Sequence, residues 1–461
     1  MFNYDLLIIG SGPAGKRAAV QAAKLGKSAA IIEGRNVVGG VTVHTGTIPS
    51  KTLREAVLYL TGWTQRGLYG QSYRLKQHLT IDDLMQRLAI TIRNEVGVIE
   101  HQLKRNGVTI INGWGSFLDP HRLQVVMPDG QTPEYIGEKI LIATGTTPLR
   151  PSSVPFDDAT VIDSDGILQL KKIPRSMSVV GAGVIGIEYA SIFSALDVEV
   201  TVIDGRPNML EFLDREIVDE LIHDLRNRGV TMRLGEKVSS IEKNENGINI
   251  LLESGKRLRT ELVLYAAGRT GCVSGLKLEN AGLKADDRGC IKVDDNYATE
   301  VPHIYAAGDV IGFPSLASTS MEQGRVAACH AFGKAIASVP EHFPFGIYSI
   351  PEISMVGATE QELTAKNIPY EVGTALFRET ARGQILRLEN GMLKLLFGMK
   401  DRKLLGVHII GEGATELVHI GQAVLSLGGT LDYLVNSVFN YPTLAETYKI
   451  AALDAWNRMP L

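Results

Sequence analysis

A chain of 461 residues is long enough for two to four domains, because single cores stop growing near ~250–300 residues. It is 44% hydrophobic and 21% charged, with 48 glycines, an ordinary globular balance with the glycine surplus of chains that bend tightly around cofactors. A net charge of −4 gives no electrostatic case for a nucleic-acid partner or an anionic membrane surface.

The opening residues, MFNYDLLIIG, run straight into a strand-like apolar segment, with no basic leader region and no small-residue cleavage site. A signal peptide is therefore not expected. No uninterrupted apolar run approaches the ~18–20 residues of a membrane span, so no membrane partner is expected and a cytoplasmic location fits. Cys272, Cys290 and Cys329 lie far apart with no CxxC spacing, which argues against an oxidised framework and against a metal site.

The first predicted unit is strand, glycine turn, amphipathic helix and second strand over YDLLIIGSGPAGKRAAVQAAKLGKSAAIIE. Gly10, Gly12 and Gly15 form GxGxxG and Glu33 closes the second strand. Next come the paired Gly39 and Gly40 and the stretch VTVHTGTIPSK, Val41 to Lys51, which carries Thr42, His44, Thr47 and Lys51. An apolar strand ending in small residues, ILIATGTTP, places Thr144 and Gly145 where the chain could leave a nucleotide domain. The first pattern then returns in SMSVVGAGVIGIEYASIFSALDVEVTVID, with Gly181, Gly183 and Gly186 and the closing acid Asp204. The acid follows the first glycine by 23 residues in both copies, 10 to 33 and 181 to 204.

The repeat has a chemical reason. The first glycine makes the turn, the second lets backbone approach a pyrophosphate, the third lets helix pack on strand, and the acid reaches a ribose hydroxyl. The helix N-terminus adds amides and a partial positive charge. Two copies in register predict two dinucleotides. LVLYAAGRTG, containing Gly268, reads as a second domain crossing, and HIYAAGDVIG sets Asp309 at the tip of a glycine turn.

In that order, these segments resemble the two-dinucleotide flavoprotein family of glutathione reductase and dihydrolipoamide dehydrogenase. The resemblance implies an α/β fold with two Rossmann-like domains, the second inserted in the first, and a C-terminal α+β dimerisation domain beginning near Ile347 to Leu363. It places FAD on residues 1–148 and 269–340, NAD or NADP on 149–268, and a homodimer or higher homo-oligomer on 341–461. Asp309 would then hold the FAD ribitol. Lys51 would pair with Glu188, in GVIGIEYA, to tune the flavin.

Disulfide reductases of that family read GGxCxxxxCxxSK after the paired glycines, and this chain has Thr42 and Thr47 in the two cysteine places. A hydroxyl cannot form the mixed disulfide that a thiolate forms. Their C-terminal histidine is replaced by Tyr441 in FNYPTLAETY, with Glu446 in the place of its glutamate partner. A phenol titrating near ~10 is a poor substitute for an imidazole near ~6.5. HTGTIPSKTLREA and FNYPT together resemble the soluble pyridine nucleotide transhydrogenases, which carry hydride from NADPH through FAD to NAD⁺. Those enzymes usually keep a cysteine at the place of Thr42, a departure that removes a redox thiol and no step of hydride transfer.

Two alternatives stand beside a transhydrogenase: an NAD(P)H dehydrogenase passing electrons to a quinone or dye, and a non-catalytic FAD-binding redox sensor. Nucleotide choice rests on VIDGRPNML, where Asp204 accepts from the 2′-hydroxyl of NAD while Arg206 could grip the 2′-phosphate of NADP. The two signals oppose each other. His44 reads as a hydrogen-bonded structural histidine near the flavin, since hydride transfer asks for no base.

Overall fold

The computed structural model describes residues 2–70, 72–245, 247–334 and 342–459. They divide into two compact units, one of residues 1–52, 85–149 and 268–340, the other of residues 53–84, 150–267 and 341–461. The expected domain boundary at 340/341 lies outside the described residues.

In the first unit, Tyr4–Ile9 and Ala29–Glu33 are the two strands of the N-terminal glycine repeat, joined by helix Pro13–Lys24. They pair in parallel, with Thr109–Asn112 outside Ala29–Glu33 and with Glu134–Ile142 and Ile304–Ala306 continuing on the other side of Tyr4–Ile9. Such strands are covered on both faces, which is why LLII and AAII are continuous apolar runs rather than alternating ones. Glu134–Ile142 also begins a meander with Arg122–Val126 and Trp114–Asp119. The two predicted crossings, Thr146–Pro148 and Arg269–Gly271, meet as an antiparallel pair at the edge of this unit.

Among the described residues the second unit contains three sheets, the smallest an antiparallel set of Val238–Asn244, Gly247–Leu252 and Arg257–Thr260. Thr231–Leu234, Glu199–Asp204, Ser176–Val180, Leu262–Tyr265 and Val161–Ile162 form a parallel sheet in that order. Helix Val184–Ala195 follows the second glycine turn and is buried along almost its whole length. Residues beyond 342 form a five-stranded antiparallel sheet, Phe345–Ile347, Ile353–Gly357, Leu404–Ile410, Met392–Gly398 and Tyr370–Leu376. Its core joins Phe377, Leu393, Phe397, Val407 and Ile409 to Tyr448, Ala451 and Ala455 of helix Glu446–Trp456. The fold class is the expected one: two Rossmann-like folds followed by an α+β domain. No helix among the described residues is long and apolar enough to cross a membrane.

Candidate functional site: a dinucleotide cavity and a second nucleotide turn

The two glycine turns are built alike. Gly10 and Gly181 have φ of +102° and +111°, values that favour glycine. A Cβ on Gly15 would lie 2.0 Å from Gly10 O, and one on Gly186 would lie 1.9 Å from Gly181 O. Only glycine lets those helices start so close to their strands. A Cβ on Gly12 or Gly183 would meet nothing within 4 Å, which leaves an open approach to the backbone at each helix start.

The closing acids are held alike too. Ser11 N donates to Glu33 Oε2 at 3.0 Å, and Ala182 N donates to Asp204 Oδ2 at 2.7 Å. Ser11 Oγ also donates to Glu33 Oε2 at 2.5 Å while accepting from Gly39 N at 2.9 Å. Ser11 thus ties the first acid to the paired glycines, a role hidden in the unspecified second position of GxGxxG.

Above the first turn lies a cavity of about 1020 Å³ within the first unit. Gly10, Gly12, Glu33, Thr42, Thr47, Thr144, Gly145 and Asp309 line it, together with Ser11, Thr146, Cys272 and Ser320. Thr42 lies on the short helix Gly40–His44 and Thr47 begins helix Thr47–Leu60, so two consecutive helices bring both threonines to the cavity. Lys51 is one turn further along that helix and donates to Ser50 Oγ at 3.3 Å. His44 Nε2 donates to Val38 O at 2.9 Å, the hydrogen-bonded state expected of it.

Asp309 follows Gly308 at the start of the turn Asp309–Ile311. Burial raises its pKa, against the pull of Arg269 and hydrogen bonds from Thr146 and Ser320. Thr146 Oγ donates to Asp309 Oδ2 at 3.4 Å and accepts from Arg269 Nε at 2.8 Å. Gly268, at φ +125°, precedes Arg269 and gives its carbonyl to Leu149 N. The Thr144 hydroxyl is buried without a hydrogen-bond partner. A cavity of this size, floored by bare backbone, with an orphaned hydroxyl and the Asp309 carboxyl as an acceptor on its lining, fits FAD.

In the second unit Asp204 and Arg206 are partners rather than competitors. Arg206 Nε donates to Asp204 Oδ1 at 3.0 Å and Nη2 to Oδ2 at 2.8 Å, and Arg206 N also donates to Oδ1 at 2.8 Å. Burial pushes the Asp204 pKa up, but these bonds outweigh it and hold the carboxyl below its usual range. The sequence reading set the two side chains in opposition. Two residues apart on a turn, they lie close enough to neutralise each other.

Glu188 is 4% exposed on helix Val184–Ala195. Its Oε1 accepts from Tyr348 N at 2.9 Å. Tyr441 is 73% exposed, whereas Glu446 starts helix Glu446–Trp456 with Oε2 buried and unpartnered. The Lys394 side chain is fully buried, yet it pairs with Asp214 at 2.9 Å, Glu216 at 2.8 Å and also Glu360. Nothing local in the sequence marks that cluster, whose members come from three separate segments.

The family model described as pyridine nucleotide-disulphide oxidoreductase matches residues 4–324, and the dimerisation domain of the same family matches 343–452. The soluble pyridine nucleotide transhydrogenase of Mycobacterium bovis is 57% identical over 460 residues, covering 100% of this chain and 98% of that one. That of Colwellia psychrerythraea is 46% identical, covering 99% of each. Among solved structures, the HOCl-induced flavoprotein disulfide reductase RclA from Escherichia coli superposes with a TM-score of 0.88 at 28% identity, over 98% of this chain and 99% of its own. LpdA from Mycobacterium tuberculosis gives 0.90 at 25% identity, over 97% and 98%.

Proposed function

The chain belongs to the pyridine nucleotide-disulphide oxidoreductase family, and we propose that it moves hydride from NADPH through FAD to NAD⁺, as a cytoplasmic homodimer, without a redox disulfide. The observation that carries this reading is the joint presence of two complete nucleotide turns and of threonines at both cysteine places on the cavity lining. FAD supplies the one step the protein cannot, accepting hydride from one nicotinamide and returning it to another. The chain itself contributes binding and geometry.

Gly10–Gly15 and the N-terminus of helix Pro13–Lys24 receive the pyrophosphate, with Glu33 accepting from the adenosine ribose. Asp309 binds the ribitol hydroxyls, and Thr144 and Gly145 line the same wall. Residues 1–148 and 269–340 form this FAD domain. Within 149–268, Gly181, Gly183 and Gly186 receive the nicotinamide nucleotide's pyrophosphate, Gly268 closes the crossing, and Asp204 and Arg206 meet its adenosine ribose. Residues 341–461 form the dimer interface.

By the family resemblance Lys51 and Glu188 would tune the flavin and hold the nicotinamide, and Tyr441 and Glu446 would each complete the site of the other subunit of the dimer. None of them has to move a proton, because hydride transfer between nicotinamide and flavin needs no nucleophile. Excluding water and oxygen from the reduced flavin is the other requirement. An FAD-binding sensor has no use for the second turn, whose acid is held as carefully as the first.

The test is an anaerobic mixture of purified holoenzyme, NADPH and thio-NAD⁺, followed at the thio-NADH absorbance. Thio-NADH formation at catalytic rates is expected. Flavin that is reduced by NADPH and reoxidised by a quinone but never by thio-NAD⁺ makes the chain a dehydrogenase instead.

A further inference from the structure

A nucleotide site that takes both NAD and NADP has to accept two different groups at one ribose carbon. The 2′-phosphate brings roughly −1.5 to −2 charges where NAD has a neutral hydroxyl. Asp204, at the end of strand Glu199–Asp204 after the second glycine turn, is placed to meet that carbon. Its carboxylate is spoken for by the bidentate Arg206. The pair as it stands is electrically neutral: it does not repel a phosphate, and it offers no uncommitted cation to hold one.

The missing cation comes from the next strand connection. The turn Gly235–Lys237 is stitched to the same residues, with Gly235 N donating to Arg206 O at 2.9 Å and Glu236 N donating to Asp204 O at 3.1 Å. The Lys237 stem consequently lies flat on Gly205, the residue between Asp204 and Arg206. A Cβ on Gly205 would fall 2.8 Å from Lys237 Cγ and 3.5 Å from Cε. The neighbouring Glu236 is paired with Lys256 at 2.5 Å, so it leaves Lys237 alone. Lys237 is exposed, and among the described residues no ion pair engages its ammonium. Arg206 is itself 54% exposed on the same rim.

Resting on the transhydrogenase reading of this site, we propose that Lys237 is the residue that recognises the 2′-phosphate of NADP(H), while the neutral Asp204–Arg206 pair serves NAD(H). The division explains how one turn accommodates both nucleotides. The ammonium pairs with the phosphate as a point charge, whereas NAD, which lacks that phosphate, meets a pair with no net charge. It also accounts for Gly205, since any larger side chain there would displace the Lys237 stem.

The experiment measures the dissociation constants of NADP⁺ and NAD⁺ on oxidised, FAD-loaded enzyme, and of 2′,5′-ADP and 5′-AMP as fragments. Lys237→Met keeps the aliphatic stem over Gly205 and removes the charge. It is expected to shift the NADP⁺/NAD⁺ ratio of dissociation constants by about tenfold toward NAD⁺, to shift the fragment ratio likewise, and to flatten the salt dependence of NADP⁺ binding. Lys237→Arg should restore the ratio. A ratio unchanged in Lys237→Met and in Lys237→Gln, with wild-type enzyme binding both dinucleotides, overturns the assignment and leaves the transhydrogenase reading intact. Wild-type holoenzyme that binds neither dinucleotide overturns both.

Discussion

Tyr348 donates its backbone N–H to Glu188 Oε1 at 2.9 Å across 160 residues of sequence, so a strand connection of the C-terminal sheet sets the position of an acid on the second nucleotide helix. One turn later Ser191 Oγ accepts from Ile350 N at 3.0 Å and donates to Glu188 O at 2.8 Å. Glu188 and Ser191 are three apart and share a helix face. That face is buried against residues 348–350, and buried N–H groups left without acceptors are costly.

Glu188→Ala should therefore lower stability by about 1–3 kcal/mol, the cost of an orphaned buried amide. Glu188→Gln keeps an oxygen that can accept from Tyr348 N and should lose less than about 1 kcal/mol. Urea unfolding of both variants separates the two. If Glu188 also holds the nicotinamide, Glu188→Gln should slow flavin reduction by NADPH despite near-normal stability. Equal destabilisation by Gln and Ala would show that the hydrogen bond to Tyr348 is not what matters.

Lys394 offers a sharper stability test. Its side chain and that of Asp214 are each 0% exposed. Burial pushes the lysine pKa down, but Asp214, Glu216 and Glu360 overcome this and raise it well above the ordinary lysine value. Asp214 does double duty by capping helix Arg215–Asn227 through Glu216 N at 3.2 Å. Removing one partner of a buried pair leaves the other charge stranded, so Lys394→Met should cost about 3–5 kcal/mol. Adding Asp214→Asn removes the stranded charge while keeping an acceptor for the cap, and the double variant should recover part of the loss. A double variant with losses that simply add would mean the two residues are not coupled.

Asp309 predicts an opposite trade. Burial raises its pKa in the folded chain. A carboxyl raised in this way is no burden below its unfolded pKa of about 3.9 and withdraws stability as pH rises through the folded value. FAD-free protein should thus gain thermal stability from Asp309→Asn at pH 7.5, and the gain should shrink as pH falls toward about 4. The same variant should retain FAD less well, because the ionised carboxylate is the stronger acceptor for ribitol hydroxyls. Thermal shifts of the stripped proteins at both pH values, with FAD retained after gel filtration, give the answer. A lower melting temperature for the stripped variant at pH 7.5 would contradict it.

Much of this architecture is legible in the chain because the nucleotide turns are local. Gly10, Gly12, Gly15 and Glu33 act within one strand–helix–strand unit, and the constraint that binds them is the contact of Gly15 with Gly10 O. The same holds for Gly181, Gly183, Gly186 and Asp204. What sequence reasoning missed depends on contacts between segments far apart. Lys237 reaches Gly205 only because Thr231–Leu234 pairs in register with Glu199–Asp204, and Lys394 meets Asp214 through packing of a sheet strand on a helix start. Even the adjacent pair Asp204 and Arg206 was misjudged, since a sequence gives two charges but not the turn that folds one onto the other.

The two threonines on the cavity wall make the last prediction, because they fix how many electrons the enzyme can store. Disulfide reductases of this family can hold two electrons on the flavin and two more on a nearby cysteine pair. Here Thr42 and Thr47 stand at those places, and no disulfide joins any two of Cys272, Cys290 and Cys329. Burial pushes the thiols of Cys290 and Cys329 up, with Asp286 adding to the effect at Cys290, so neither is a ready thiolate. Cys272 lines the cavity but has no second cysteine of the CxxxxC kind beside it in the sequence. Anaerobic titration of the holoenzyme with NADPH should therefore bleach the flavin completely at one equivalent per chain. No long-wavelength thiolate–flavin band should appear on the way, and NAD⁺ should bring the yellow colour back. Turnover of lipoamide or glutathione disulfide should stay at background. Consumption of a second equivalent of NADPH, with free-thiol titre rising by two per chain, would mean that a cysteine pair outside the expected places has taken over the relay.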